Sequence, residues 1–286
     1  MTRCLPALAA RPSPRIAGIL NLTPDSFSDG GRFAEQRSAI DHALRMAEEG
    51  ADVIDVGGES TRPGSLPVPA AEQARRVLGV IEGLRTRLPP HVPISIDTTR
   101  ADVAEAALGA GASLINDVSA GRHDPRMFGV AAARGVPLVL MHMQGTPATM
   151  QEDPRYEDVV EEVRAFLLER ARAAEAAGIA PRNLIIDPGI GFGKTREHNL
   201  TLVARLGRLV DTGYAVMLGA SRKRFMGSVC AAEDPSRLVG ATCATTALGV
   251  RAGVGWFRVH DVGPNRQAAD VAYAVVHADQ GRRLST

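Results

Sequence analysis

The stretch Leu184-Ile185-Ile186-Asp187-Pro188-Gly189 decides the fold, because it is a short apolar run that ends in a polar side chain and a turn. Seven other runs of this kind occur along the chain. Short, mostly non-alternating apolar runs are typical of strands that are buried on both faces of a parallel sheet. The sequence predicts eight strands, at residues 16–21, 53–56, 94–97, 114–116, 138–142, 184–187, 215–218 and 256–259.

Helical patterns lie between these strands. Residues 39–49 end at Gly50, residues 70–88 end before two prolines, and residues 159–177 end at Gly178. Glycine directly after a helix and proline beyond it are stop signals. An intervening helix each time predicts eight βα units, which suit either a closed barrel or a doubly wound open sheet.

The ends of the strands favour the barrel. A polar side chain lies at, or just past, the C-terminal end of every predicted strand: Asn21, Glu59, Asp97, Asn116, His142, Asp187, Lys223 and His260. An open sheet builds its site at one switch point, whereas a barrel builds it from all eight βα loops at one face. We therefore predict a single-domain (β/α)8 TIM barrel at residues 15–286, after an N-terminal extension at residues 1–14.

Composition excludes several classes of protein. The net charge is only +1, so no global field attracts nucleic acid or an acidic membrane. No apolar run reaches the roughly 18 residues of a membrane span, and Pro6 interrupts the short apolar start, which argues against a signal peptide. Cys4, Cys230 and Cys243 are scattered, which argues against a zinc site or a disulfide framework. These observations predict a cytoplasmic protein.

Two segments predict anion binding. The second strand is followed by paired glycines and then Arg62, whose planar guanidinium matches phosphate oxygens. In the eighth strand Arg258 and His260 are two residues apart and face the same side. They precede the start of the last helix, a position that favours anions.

Carboxylates and a basic cluster complete the predicted site. Buried carboxylates are costly unless they accept hydrogen bonds. Asp97, Asn116 and Asp187 at one barrel face therefore suggest a ligand rich in N–H donors, and a pterin is such a ligand. The cluster Ser221-Arg222-Lys223 follows the seventh strand, where barrel enzymes build their sites, so a functional role is favoured over a solvated surface.

Two motifs are ambiguous. Residues 189–195 nearly match the phosphate-binding pattern G-x-x-x-x-G-K-[ST], but Pro188 stands where the first glycine is needed. A flexible loop that presents Phe192 over the barrel mouth fits better. His142 lies between two methionines, which favours a structural role over a catalytic one.

The sequence resembles the dihydropteroate synthase family, the sulfonamide target of folate biosynthesis. The segments that carry the resemblance follow one another in order along nearly the whole chain: residues 18–31, 55–64, 96–98, 115–117, 140–143, 187–189, 221–223 and 258–261. The resemblance implies an enzyme that joins 4-aminobenzoate to a dihydropterin diphosphate and releases pyrophosphate. It also implies the stand-alone bacterial form and a homodimer.

The resemblance further implies roles for individual residues. It implies Mg²⁺ as cofactor, with one protein ligand, Asn21. The diphosphate would be held by Arg62, Arg258 and His260. The pterin ring would be bound by Asp97, Asn116, Asp187 and Lys223. The 4-aminobenzoate site would be framed by Phe27, Thr61, Pro63, Phe192, Ser221 and Lys223. The groups expected to act in catalysis are Asp97, Lys223, Arg258 and His260, with Asp97 stabilising a pterin cation that forms when the diphosphate leaves.

Two other functions remain open at this point. A pterin-binding methyltetrahydrofolate methyltransferase shares the pterin-reading positions, but it has no use for Arg62, Arg258 and His260 as a diphosphate site. A non-catalytic pterin-binding paralogue would be favoured by degeneration at Asn21, Asp97 or Lys223, and all three residues are present.

Overall fold

The structure is a computed structural model that describes residues 13–22, 31–61 and 64–278, without the side chains of residues 31–33. The predicted N-terminal extension therefore lies almost entirely outside the described residues. In the part of the chain that is described, no helix combines the length and the apolar character that a membrane crossing requires.

Eight strands alternate with helices along the chain. The strands are β1 (Arg15–Asn21), β2 (Val53–Gly57), β3 (Ile94–Asp97), β4 (Leu114–Asp117), β5 (Leu138–Met141), β6 (Leu184–Asp187), β7 (Ala215–Leu218) and β8 (Trp256–Val259). The helices are α1 (Gly31–Glu48), α2 (Ala70–Arg87), α3 (Ala101–Ala110), α4 (Met127–Arg134), α5 (Val159–Ala176), α6 (Arg196–Ala204), α7 (Gly207–Val210), α8 (Arg224–Cys230), α9 (Val239–Arg251) and α10 (Val262–Ala278). Single 3₁₀ turns precede β6 and α9.

The strands form one closed parallel barrel in sequence order, with β8 paired to β1. Ala17 pairs with both Val53 of β2 and Arg258 of β8, so β1 closes the ring. The predicted (β/α)8 TIM barrel is confirmed. Because all strands are parallel, their C-terminal ends and the loops that follow lie at one face.

Two layers of apolar side chains hold the barrel together. Seven residues from seven different strands form a buried cluster: Ala17, Val53, Leu114, Val139, Ile185, Met217 and Trp256. A much larger cluster joins strand residues such as Ile54 and Leu140 to helix residues such as Ile81 and Leu167. The small cluster fills the lower interior of the barrel, and the large one packs the helices around it.

The predicted strand bounds agree with the observed ones to within one residue, and β3, β6, β7 and β8 match at both ends. Helix α1 is the main difference, because it begins at Gly31 rather than at residue 39. Residues 34–38 of this helix are largely exposed and carry no apolar stripe, so periodicity did not reveal this part of it. Gln36 fastens this part of α1 to α2 by donating to the Gly79 carbonyl at 2.6 Å.

Candidate active site

A buried polar network spans the barrel mouth from β8 to β4. Arg258 donates from Nε to Asp55 Oδ2 and from a terminal nitrogen to Asp97 Oδ2, each at 2.6 Å. Asn116 Nδ2 donates to the same Asp55 oxygen at 3.1 Å. Four strand ends are therefore joined by three hydrogen bonds, and these bonds fix the orientation of each side chain.

Asp55 is a member of this network that sequence reasoning did not assign. It lies inside β2, almost fully buried, and its other oxygen, Oδ1, has no hydrogen-bond partner although it is buried. An unsatisfied buried oxygen is costly and is common at functional sites. The sequence does carry a signal for Asp55. It is a charged residue within an otherwise apolar strand, and it begins the motif at residues 55–64.

The orientation of Asn116 shows what the site can recognise. Its amide nitrogen must face Asp55, because an ionised carboxylate only accepts hydrogen bonds. The amide oxygen is thereby left to accept a hydrogen bond from a ligand N–H. The predicted preference for a donor-rich ligand is consistent with this geometry.

The carboxyl groups of the site are shifted by burial. Burial raises the pKa of Asp97 above its usual value and Asp55 adds to the rise, while the adjacent guanidinium of Arg258 opposes it. Burial also acts against the charge of Arg258, but Asp55 and Asp97 hold its pKa above the ordinary range. We infer that the ion pair keeps Asp97 negative when Arg258 contacts it.

Asp187 and Lys223 lie on the other side of the mouth. Burial raises the pKa of Asp187 to about 6, although the backbone N–H of Gly189 donates to its Oδ1 at 2.7 Å. Lys223 Nζ lies 4.0 Å from the centre of the Phe192 ring, a cation–π contact. The structure therefore brings Asp187, Lys223 and Phe192 together, as predicted from the sequence.

An apolar cluster beside these groups was not predicted from the sequence. Its members are Val118, Met141, Met143, Met150 and Phe192. Polarizable methionine side chains adapt to flat ring systems, so this cluster offers an apolar wall for a planar ligand. Its residues come from the ends of β4 and β5 and from the loops after β5 and β6, which no local sequence pattern connects.

His260 and Ser221 form a pair at the end of β8. Ser221 Oγ lies 3.0 Å from His260 Nδ1 and also accepts from the His260 backbone N–H at 3.2 Å. Burial, together with Arg258 and Arg222, lowers the pKa of His260 to about 3. His260 is thus a neutral hydrogen-bonding group near neutral pH, and not a second cation beside Arg258.

The basic cluster after β7 separates into different roles. Arg222 makes a bidentate ion pair with Asp261, at 2.9 and 2.6 Å, and its backbone adopts a left-handed conformation with φ of 57°. Its neighbours Ser221 and Lys223 are thereby presented toward the barrel mouth. The left-handed backbone of Arg222 is strained, and this conformation places Ser221 and Lys223 on either side of it.

The loop after β2 is anchored at both of its described ends. Glu59 accepts from the backbone N–H of Val68 at 2.6 Å and from Gln73 of α2 at 3.1 Å. Gln73 is buried and also accepts from Thr98 at the end of β3. Thr61 lies half-buried in this loop. The other predicted residues of the region, Phe27, Arg62 and Pro63, lie outside the described residues.

Asn21 is the candidate protein ligand for Mg²⁺. It ends β1 and is half-buried, and a Cβ added at Gly57 would lie 3.6 Å from Asn21 Oδ1 and 3.5 Å from Asp97 Cβ. Gly57 thus keeps the space beside Asn21 open. Among the described residues no group of three or more His, Cys, Asp or Glu side chains could hold a metal. One amide oxygen supplemented by substrate oxygens and water is a donor set that suits Mg²⁺.

The phosphate-loop interpretation of residues 189–195 is not supported. Lys194 is buried beneath its own loop and contacts backbone carbonyls, while the Thr195 side chain caps α6 by accepting from His198. His142 contacts Lys194 at 2.9 Å in the same buried region, which is consistent with the structural role favoured for it.

Comparison with known proteins agrees with this site. The family model described as "Pterin binding enzyme" matches residues 17–260. The chain is 46% identical to dihydropteroate synthase from Mycobacterium leprae, over 92% of this chain and 94% of that protein. The chain belongs to the dihydropteroate synthase family. Members of this family are transferases of folate biosynthesis.

Two solved structures of dihydropteroate synthase from Xanthomonas albilineans resemble the whole barrel. The complex with 4-aminobenzoic acid has a TM-score of 0.85 at 46% identity, covering 95% of this chain and 94% of that chain. The complex with 7,8-dihydropteroate has a TM-score of 0.82 at 44% identity, covering 95% of each chain. The fold and the family agree with the resemblance seen in the sequence.

Proposed function

We propose that this protein condenses 6-hydroxymethyl-7,8-dihydropterin diphosphate with 4-aminobenzoate, giving 7,8-dihydropteroate and pyrophosphate. The observation that carries the proposal is the network in which Arg258 holds Asp97 beside Asn116, with Asp187 and Lys223 across the same barrel mouth. Together with family membership, it supports binding of a donor-rich heterocycle in the barrel and of an anion above it.

The pterin ring is proposed to lie between the acceptors and the apolar wall. Asp187 and the amide oxygen of Asn116 accept from the N–H groups of the ring, and Lys223 donates to its oxygen or nitrogen acceptors. The Met141 and Phe192 side chains pack against the ring. Desolvated carboxylates bind such donors strongly, because charge-assisted hydrogen bonds gain strength in a low-dielectric site.

Departure of the diphosphate is proposed to come first. The C–O bond at the pterin methylene breaks and leaves a cation delocalised into the ring. Asp97 is fixed by Arg258 and stabilises that cation electrostatically. His260, neutral and oriented by Ser221, donates to a diphosphate oxygen with Arg62. When bound, Mg²⁺ would neutralise charge on the departing pyrophosphate, with Asn21 as its protein ligand.

The 4-aminobenzoate nitrogen then attacks the methylene carbon, and the proton that this nitrogen loses passes to the released pyrophosphate or to water. Its pocket is proposed to be framed by Thr61, Ser221 and Phe192 with the undescribed residues Phe27 and Pro63. The Ser221–His260 pair is proposed to orient the imidazole and not to supply a nucleophile, because a dissociative reaction needs no side-chain nucleophile. Exclusion of water by the loops over the mouth prevents capture of the cation.

We also propose a cytoplasmic homodimer. Three apolar side chains are exposed on two helices that pack against each other: Leu248 on α9, and Val271 and Val275 on α10. Val271 and Val275 are four residues apart and so share one helix face. Exposed apolar patches of this kind mark protein interfaces, and a second copy of the chain fits the family. Cys230 and Cys243 are free thiols, as in a reducing compartment.

One assay tests the proposed reaction. Purified protein is incubated with Mg²⁺, the dihydropterin diphosphate and 4-aminobenzoate, and both pyrophosphate and dihydropteroate are measured. Equal amounts of the two products support the proposal, and Asp97→Asn should reduce their rate of formation. Release of pyrophosphate without dihydropteroate would indicate a diphosphatase. Methyl transfer from methyltetrahydrofolate to a corrinoid, with no condensation, would favour the methyltransferase.

A further inference from the structure

A lysine that the proposed reaction does not use is buried beside the active site. Lys194 is 2% exposed, and its Nζ lies 3.0 Å from the Gly189 carbonyl, 2.9 Å from the Phe192 carbonyl and 2.9 Å from His142 Nδ1. A buried ammonium is costly unless each of its hydrogens has an acceptor. Here three acceptors surround it, so its three N–H groups are satisfied.

The protonation of the neighbouring histidine fits this arrangement. Burial and the charge of Lys194 lower the pKa of His142 to about 2, so the ring is neutral and Nδ1 can accept. Burial also lowers the pKa of Lys194 to about 7, and Asp187 acts in the opposite direction. Below pH 7 the contact is therefore an ammonium that donates to a neutral imidazole.

These contacts join two loops of the active site. Gly189 and Phe192 lie in the loop after β6, and His142 lies directly after β5. The two backbones are pressed together, since a Cβ at Gly189 would lie only 1.9 Å from the His142 carbonyl oxygen, and one at Gly193 would lie 2.6 Å from the Gln144 carbonyl oxygen. Lys194 supplies the polar partner for carbonyls that this close approach removes from water.

The same loop positions the proposed pterin wall. Phe192 is 8% exposed, and its ring contacts Lys223. Gly189, whose carbonyl accepts from Lys194, donates its own N–H to Asp187. A displacement of this loop would therefore move the Phe192 ring together with the Gly189 N–H that donates to Asp187.

The composition of the chain supports a requirement for lysine at this place. Lys194 and Lys223 are the only two lysines among 33 Lys and Arg residues. Arginine serves everywhere else, including the exposed ion pairs. A tetrahedral ammonium can donate to three converging acceptors, whereas a planar guanidinium spreads its donors over a wide fork. The three acceptors around Lys194 Nζ match the donors of an ammonium and not those of a guanidinium.

We propose that Lys194 is a positioning residue of the pterin site, which holds the loop after β6 against the end of β5 and so sets the place of Phe192. The proposal deepens the proposed function and rests on it for the identity of the ligand. Lys194 does not touch the substrate and acts through the loop that does.

The first test separates substrate binding from turnover. In Lys194→Met, which keeps the length of the side chain without its charge, we expect KM for the dihydropterin diphosphate to rise about tenfold and kcat to change less. Lys194→Arg should not restore the KM. Gln151→Ala is the matched control, because Gln151 donates to Gly191 of the same loop from an exposed position, and its KM should stay near that of the wild type.

The second test does not depend on activity. Protein labelled with ¹⁵N and ¹³C only in lysine gives two side-chain signals in NMR spectra. The Lys223 signal should be displaced by the ring current of Phe192, and this displacement should shrink in Lys194→Met and persist in Gln151→Ala. In the wild type, the Nζ hydrogens of Lys194 should exchange with water far more slowly than those of Lys223.

The outcomes distinguish the positioning role of Lys194 from the proposed condensation reaction. Unchanged KM and an unchanged Lys223 signal in a folded Lys194→Met variant would overturn the positioning role, as would equal effects in Gln151→Ala. If Lys194→Met does not fold, fast exchange of the Lys194 hydrogens in the wild type would overturn it. Absence of condensation by the wild type, with the Lys223 displacement still dependent on Lys194, would refute the proposed function and leave the positioning role intact.

Discussion

At the scale of single residues, Asp187 links the pH of the solution to ligand binding. Burial raises its pKa to about 6, so Asp187 is protonated below this value and accepts donors poorly. We expect the affinity for a pterin ring without diphosphate to rise between pH 5 and 7 and to level off above that. Calorimetry at several pH values measures this, and a flat profile would contradict it.

The Asp187→Asn variant is the control, and its stability has a predictable sign. It should bind pterins weakly at every pH. Because the folded-state pKa of Asp187 is raised, its contribution to stability is present at acidic pH and lost as pH rises through 6. Asp187→Asn should therefore unfold at a higher temperature than the wild type at pH 8, a gain on the order of 1–3 kcal/mol at most, and should show little gain at pH 4.

Asn21 provides a prediction about the metal. If its amide oxygen binds Mg²⁺, Asn21→Ala should leave the fold intact and weaken the binding of pyrophosphate measured with Mg²⁺ present. Binding of a pterin that lacks the diphosphate should be unaffected. A chelator should abolish activity, and Mg²⁺ should restore it. Full activity in excess chelator would rule out the metal, and equal loss of both ligands would rule out this role of Asn21.

The placement of site residues was predictable from sequence where a strand end puts one polar group at the mouth. Asp97, Asn116, Asp187 and His260 are of this kind, and the structure brings them to one face. Asp55 and Lys194 were not found in this way. Their importance depends on neighbours distant in sequence, namely Arg258 for the first and the end of β5 for the second.

At the scale of elements, the loop after β2 predicts an order of binding. Its described ends are held by Glu59, which accepts from Val68 and from Gln73. Arg62, which lies outside the described residues, is proposed to bind an anion that a ligand brings. We expect 4-aminobenzoate to bind the protein alone very weakly, and to bind well once Mg²⁺ and pyrophosphate are present. Reciprocity requires 4-aminobenzoate to tighten pyrophosphate by the same factor.

Titration calorimetry in both orders measures this coupling. Gln73→Leu removes the buried anchor and should weaken 4-aminobenzoate binding to the pyrophosphate complex more than it weakens pterin binding. Tight binding of 4-aminobenzoate without pyrophosphate would show that the pocket is preformed. Much of the two loops in question, at residues 23–30 and 62–63, lies outside the described residues, so this remains a prediction.

Most strand and helix bounds were predictable: of the three helices whose bounds the sequence predicted, α2 and α5 begin at the predicted residue and only α1 begins elsewhere. Strands buried on both faces are short apolar runs, and Gly50 and Gly178 end their helices in a left-handed conformation that glycine adopts easily. The early part of α1 was missed because its described side chains, at residues 34–38, are largely exposed and show no apolar periodicity. The additional helices α7 and α8, of four and seven residues, are too short to produce a repeating pattern.

At the scale of the whole molecule, the proposed homodimer can be tested by one charge. Val271→Glu places a carboxylate on the exposed apolar face of α10, where it would be desolvated in an interface. We expect sedimentation to change from dimer to monomer, with the barrel still folded. Val229→Glu is the control, since Val229 is also exposed but lies on α8. A monomeric wild type, or a dimer that survives Val271→Glu, would contradict the proposed interface.

The barrel itself was predictable because its evidence is spread over the whole chain. Eight strand ends each carry a polar group, and a closed parallel barrel collects all eight around one mouth, whereas an open sheet uses a few of them at a switch point. The assembly of copies was not predictable from periodicity, because exposed valines on α10 resemble any other apolar residues in the sequence. The same types of apolar side chain pack within one chain and between two chains, so their sequence pattern does not tell the two apart.

The scarcity of lysine has a practical consequence for anyone who handles this protein. Amine-reactive reagents used for dyes, cross-links or attachment to sensor surfaces find only two side-chain amines, and Lys194 is shielded by the loop above it. Apart from an N-terminal amine, such reagents are therefore directed to Lys223, at the mouth of the barrel. A preparation labelled through side-chain amines would carry its label where the substrate is proposed to enter, so thiol or affinity-tag chemistry is the better choice.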